Sequence, residues 1–123
     1  MTRLVVPIES DDKYVKSNKI SQGFTLAKGL MVLELSEVGV VVDAFSLNLG
    51  KLKEEDLLDV LMGLDVDLVL SKDIEPELAE FLVNNNVKIA LTKSKELKDA
   101  LRDLLSGKVK LIPDRVMPIK YAN

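Results

Sequence analysis

Residues Val66 to Leu91, VDLVLSKDIEPELAEFLVNNNVKIAL, decide the fold. Val66-Asp67-Leu68-Val69-Leu70 is an apolar run of strand length, Glu75 to Asn84 carries helical spacing, and Val87-Lys88-Ile89-Ala90-Leu91 is a second β-type run. Pro76 suits a first helical turn, Leu78, Phe81 and Leu82 form an inward stripe, and Asn84-Asn85-Asn86 supplies a left-handed stop. Two strands joined through one helix are expected to be parallel, closed by a right-handed crossover. Their carboxyl ends then share one edge of a sheet.

Working outward, from Glu54 onward Leu57, Leu58, Leu61 and Leu64 recur at helical spacing, with Gly63 helping to end the helix. Ahead of it, Leu30–Leu35 and Val40–Phe45 flank Ser36-Glu37-Val38-Gly39, which predicts an antiparallel hairpin with Gly39 available for a positive φ. Arg3–Ile8 is a buried first strand, and residues 9 to 29 form a long loop with Tyr14, Val15, Ile20, Phe24 and Leu26 as its apolar landmarks. Beyond the central unit, Ser94 is the expected N-cap of a helix carrying Leu97, Ala100, Leu101, Leu104 and Leu105 up to Gly107. The sum is an α/β domain over residues 1–112: a five-stranded mixed sheet with helices on its faces. Pro113 and Pro118 mark a tail over 113–123 that is expected to be loosely docked.

Composition narrows the function. The chain has 123 residues, 47% hydrophobic and 30% charged, enough for one globular domain. Its 17 basic and 20 acidic residues are well mixed, with a net charge of −3, so a nucleic-acid partner is not expected. Cysteine and histidine are absent, which removes thiolate and imidazole nucleophiles, bases and metal ligands together. No apolar run is long enough for a membrane span, and a cytoplasmic location is expected.

Ligands of open α/β sheets bind beyond the carboxyl ends of parallel strands. If the first strand lies beside the central unit, Pro7–Ser10, Ser71–Asp73 and Thr92–Ser94 meet there. Lys72 and Lys93 stand just before two helix starts, so this edge is suited to a small anion or anionic cofactor, with Ser10 and Ser71 beside it. The plainer alternative is that these hydroxyls and lysines are caps and solvated turns. A third possibility is enzymatic: Glu9, Asp43 and Asp73 as oxygen ligands of magnesium in phosphodiester cleavage.

Several strings together resemble the dinitrogenase iron-molybdenum cofactor biosynthesis family, the NifX-type accessory proteins. They are Leu4-Val5-Val6-Pro7-Ile8, Ser21-Gln22-Gly23-Phe24 ahead of the hairpin, Ile74-Glu75-Pro76 opening a helix, and Leu105-Ser106-Gly107-Lys108 closing the last one. The resemblance covers about residues 3 to 112 and implies a ribonuclease-H-like three-layer α/β/α fold. It also implies a non-catalytic role in binding or carrying an iron-sulfur or iron-molybdenum cluster. The family loop reads Ser-Pro-His-Phe-Gly; here Ser21 and Phe24 match, Gln22 and Gly23 replace proline and histidine, and Thr25 replaces glycine. Two readings follow. Either the chain holds an anionic cluster through the 9–29 loop, backbone amides, Lys72 and Lys93, or it is a divergent scaffold for a protein partner or a homodimer.

Overall fold

The computed structural model describes residues 1–9, 18–50 and 53–112. Ser10, Tyr14, Val15 and the 113–123 tail lie outside them. The elements are β1 (Thr2–Ile8), β2 (Gly29–Leu35), β3 (Val41–Asn48), α1 (Glu54–Gly63), β4 (Leu68–Ser71), α2 (Pro76–Asn84), β5 (Lys88–Leu91), α3 (Leu97–Leu105) and β6 (Lys110–Ile112). They form one sheet of order β3-β2-β1-β4-β5-β6. β1, β4 and β5 are mutually parallel, as the central unit requires, while β2 and β3 on one side and β6 on the other run antiparallel to their neighbours.

The sheet has six strands, not five. β6 pairs Ile89 with Ile112, Ala90 with Leu111 and Leu91 with Lys110. The left-handed Gly107 (φ 77°) turns the chain back after α3, and the otherwise unpaired side of β5 supplies the hydrogen-bonding partner. A three-residue strand between glycine and proline is too short for its alternation to stand out in sequence.

Alternation along β1 and β2 divides the core into two layers. Val5, Leu30, Val32, Val69 and Ile89 face α1 and α2 and pack with Leu57, Leu61, Leu78 and Leu82. Leu4, Val6, Ile8, Met31, Leu33, Leu70 and Ala90 face the other way and pack with Ile20, Leu97 and Ala100. Leu61 and Leu82 are fully buried, each contributing roughly 1.5–3 kcal/mol of transfer free energy. No helix among the described residues is long and apolar enough to cross a membrane.

Local stops follow backbone chemistry with two departures from expectation. Asn86 (φ 65°) and Gly39 (φ 85°) take the left-handed positions. After α1, however, Gly63 is the last helical residue and Asp65 (φ 56°) makes the left-handed turn. Arg3 secures that turn: its Nη1 donates to the Leu64 carbonyl at 2.6 Å, its Nε pairs with Glu34, and its backbone N–H donates to Asp67 Oδ2 at 2.9 Å. Ser94 does not cap α3. The N-cap is Glu96, and the Ser94 hydroxyl donates instead to the Asp103 carboxylate, in the last turn of the helix.

Candidate functional site at the carboxyl edge of the parallel strands

Because β1 lies parallel to β4, the ends of β1, β4 and β5 converge on one edge, where the 18–28 segment crosses them. Backbone hydrogen bonds pin that segment: Ser21 N–H to the Pro7 carbonyl at 2.9 Å, Ile20 N–H to the Lys95 carbonyl at 2.8 Å and Lys28 N–H to the Ile8 carbonyl at 3.0 Å. Phe24 is 2% exposed and belongs to the α1/α2 core, which fixes the loop from beneath.

Of the serines expected at the site, the two among the described residues are spent on turns. Ser21 Oγ, buried, donates to the Gly23 carbonyl at 2.8 Å, and Ser71 Oγ donates to the Asp73 carbonyl at 2.6 Å. Gln22 is exposed on the loop, and Gly23 packs against Glu75, where an added Cβ would lie 3.0 Å from Oε1.

The expected lysine placement is corrected. α2 begins at Pro76 with Glu75 as N-cap, and α3 begins at Leu97 with Glu96 as N-cap, so acidic residues, not Lys72 and Lys93, stand at the positive helix ends. The Leu97 N–H is also taken, donating to the Asn18 carbonyl at 3.1 Å. Lys72 is half-buried and Lys93 exposed, each in the turn that follows its strand.

Three clefts surround the loop instead. One of about 240 Å³ is lined by Phe24, Thr25, Ala27, Leu49, Gly50, Lys53 and Leu57. A second, about 300 Å³, adds Lys28 and Asn48, and a third, about 280 Å³, lies between Gln22–Leu26 and Asp73–Pro76. Among the described residues, the cations at these clefts are Lys28 and Lys53, which the sequence reading passed over; Lys72 and Lys93 line none of the three.

Glu75 is the other residue that was missed. Its two carboxylate oxygens accept separate backbone hydrogens, Phe24 N–H to Oε1 at 3.1 Å and Thr25 N–H to Oε2 at 2.7 Å. Burial pushes its pKa up, but hydrogen bonds from the Thr25 hydroxyl and from the Thr25, Glu75 and Phe24 amides outweigh this, leaving it below the ordinary value.

The carboxylates of the magnesium alternative do not converge. Asp43 pairs in register with Glu34, whose other neighbour is Arg3 near the start of β1, whereas Glu9 and Asp73 follow the ends of β1 and β4. Asp43 Oδ1 accepts the next N–H of its own strand, from Ala44 at 2.9 Å.

Together, the sheet order and the loop crossing its carboxyl edge define an α/β protein of known architecture. The crystal structure of PH0822 superposes with TM-score 0.74 at 18% identity, covering 92% of this chain and 96% of that one. The apo orange protein of Desulfovibrio gigas gives 0.72 at 16% (92% and 94%), and MJ0327 of Methanocaldococcus jannaschii, which carries a dinitrogenase designation, 0.71 at 14% (90% and 94%). No match is found among curated proteins. The model of the family described as dinitrogenase iron-molybdenum cofactor matches residues 2–107, and the chain belongs to that family.

Proposed function

We propose that this protein is a non-catalytic accessory protein that takes an anionic metal cofactor, of the iron-sulfur or iron-molybdenum class, as cargo at the Gln22–Lys28 edge. The observation that carries the reading is the grouping of three clefts around this one loop at the carboxyl end of the parallel strands, within a chain of this family. Family membership points to cofactor handling; the fit of the residues limits its form. The chain has no thiolate or imidazole to enter a cluster's coordination sphere, and no group of three or more acidic side chains that could hold a metal occurs among the described residues. Capture therefore rests on contacts to the outside of the cargo: Lys28 and Lys53 for charge, and the half-buried Ala27 and the exposed Leu26 for apolar surface. Divergence of Glu9, Asp43 and Asp73 supports the non-catalytic assignment.

The domain division is part of the same proposal: residues 1–112 as one ribonuclease-H-like unit with a tail at 113–123. The continuous sheet and the β3-β2-β1-β4-β5 order support it. Lys72 and Lys93 enter only as longer-range charge.

The test is anaerobic native mass spectrometry of the protein mixed with isolated iron-molybdenum cofactor. A cofactor-sized mass gain that disappears in Lys28→Glu/Lys53→Glu is expected; no gain, or one indifferent to those lysines, overturns the reading. A second reading, a scaffold for a protein partner or a homodimer, is favoured by β3. It ends the strand order and leaves Val41, Val42 and Phe45 exposed. A dimer in the same spectra, lost in Val42→Lys, would support it.

A further inference from the structure

The structure assigns to the Gly23–Thr25 loop a receptor for a carboxylate or small oxyanion, closed in cis by Glu75 and opened to an external anion only when that carboxylate withdraws. The argument begins with the donors. Phe24 and Thr25 direct successive backbone N–H groups at one carboxylate, each meeting a different oxygen at 3.1 and 2.7 Å, and the nearby Thr25 hydroxyl favours the same negative charge. Glu75's own N–H also contacts its carboxylate, so that donor belongs to the occupant and not to the receptor. Two adjacent amides engaging two oxygens of one group is a forked arrangement, selective for an anion that presents paired oxygens.

The loop is shaped around this occupant. Gly23 packs so closely that a Cβ there would come within 3.0 Å of Oε1, and the buried Ser21 hydroxyl, bonded to the Gly23 carbonyl, holds the turn in place. Phe24, buried in the core, anchors the donors from the protein side, so the fork keeps its position when its occupant changes.

The occupant is poorly committed to its own element. Glu75 is the N-cap of α2, yet its side chain makes no capping bond to that helix; it reaches back to a loop 50 residues earlier in the chain. The cleft of about 280 Å³ lined by Gln22, Gly23, Thr25, Asp73, Glu75 and Pro76 opens beside it, giving an incoming anion access and the displaced carboxylate room to turn toward the helix start. Glu75 is thus an internal competitor: while it is seated, it fills the donors and sets a negative charge against any second anion. The inference deepens the cargo reading by naming how that edge is kept closed, but the receptor is tested here without any metal cofactor.

The probes are acetate and inorganic phosphate, one planar and one tetrahedral, titrated into ¹⁵N-labelled wild-type protein, Glu75→Ala and Glu75→Gln near neutral pH at constant ionic strength. Saturable shifts of the Phe24 and Thr25 amides are expected in Glu75→Ala, with at least tenfold tighter binding than in wild type and further loss in Glu75→Ala/Thr25→Val. Should Glu75→Ala fail to fold, Glu75→Gln carries the test: its uncharged side chain is expected to let the same two amides shift. Equal, non-saturating responses in wild type and the folded variant, or shifts confined to other amides, overturn the receptor. Because no cluster is used, failure here leaves the mass-spectrometric test standing, and failure there leaves the receptor standing.

Discussion

Replacing Glu75 with glutamine tests the loop–helix clasp most directly. The amide retains one carbonyl oxygen for either Phe24 or Thr25 N–H but turns an NH₂ donor toward the other, so one hydrogen bond is lost and a donor meets a donor. Hydrogen bonds to charged groups are worth about 1.5–3 kcal/mol in protected settings. The Thr25 side is exposed, and solvent screening brings the expected cost down to about 1–2 kcal/mol. For 123 residues this corresponds to a melting-temperature drop of roughly 4–8 °C. The pH dependence has a definite sign. The folded carboxyl has a depressed pKa, so its contribution is fully present above the unfolded value, about 4.3, and is lost as pH falls through the folded value. Urea unfolding of wild type and variant, run in parallel from neutral pH to about pH 3, isolates this group by difference. The stability gap should be widest near neutrality and narrow in acid. A gap independent of pH, or smaller than about 0.3 kcal/mol at neutrality, would refute the clasp.

Three further outcomes are expected. Arg3→Met removes the charged donor from the Leu64 carbonyl at the end of α1 and strands Glu34; thermal unfolding should show about 2 kcal/mol lost, partly recovered by adding Glu34→Gln. Gly39→Ala should cost about 1–2 kcal/mol from its φ of 85° alone. The new Cβ would fall 2.6 Å from Leu105 Cδ2, but Leu105 is 58% exposed and free to turn away, so Leu105→Ala should restore little of the loss in a double-mutant cycle. Truncation after Ile112 should leave stability nearly unchanged, whereas truncation after Gly107 removes β6 and the partly buried Ile112, lowering chemical-denaturation stability by roughly 1–2 kcal/mol.

Much of the architecture was legible from local pattern. The apolar run 30–35, the turn at Gly39 and the Leu57/Leu61 and Leu97/Ala100/Leu101 spacings are written within a few residues of the bonds they form, and the strand–helix–strand stretch 66–91 required parallel pairing. The lysines misled because a short apolar strand followed by a hydroxyl residue and a lysine does not say how many residues precede the helix. At both starts the N-cap is a glutamate three positions beyond the lysine.

Sequence alone determined the types of the first eight elements, the apolar stripes of the helices, the lack of thiolate and imidazole side chains, and a family resemblance that the match over residues 2–107 bears out. Tertiary structure alone decided the contents of the candidate site. Glu75 meets Phe24 and Thr25 across 50 residues, Asn18 covers the start of α3, Lys28 and Lys53 line clefts formed by separate connections, and β6 exists because β5 offers it an edge. Periodicity encodes which face of an element is buried; it carries no information on which distant donor an exposed carboxylate will find, because that depends on how the elements are placed against one another.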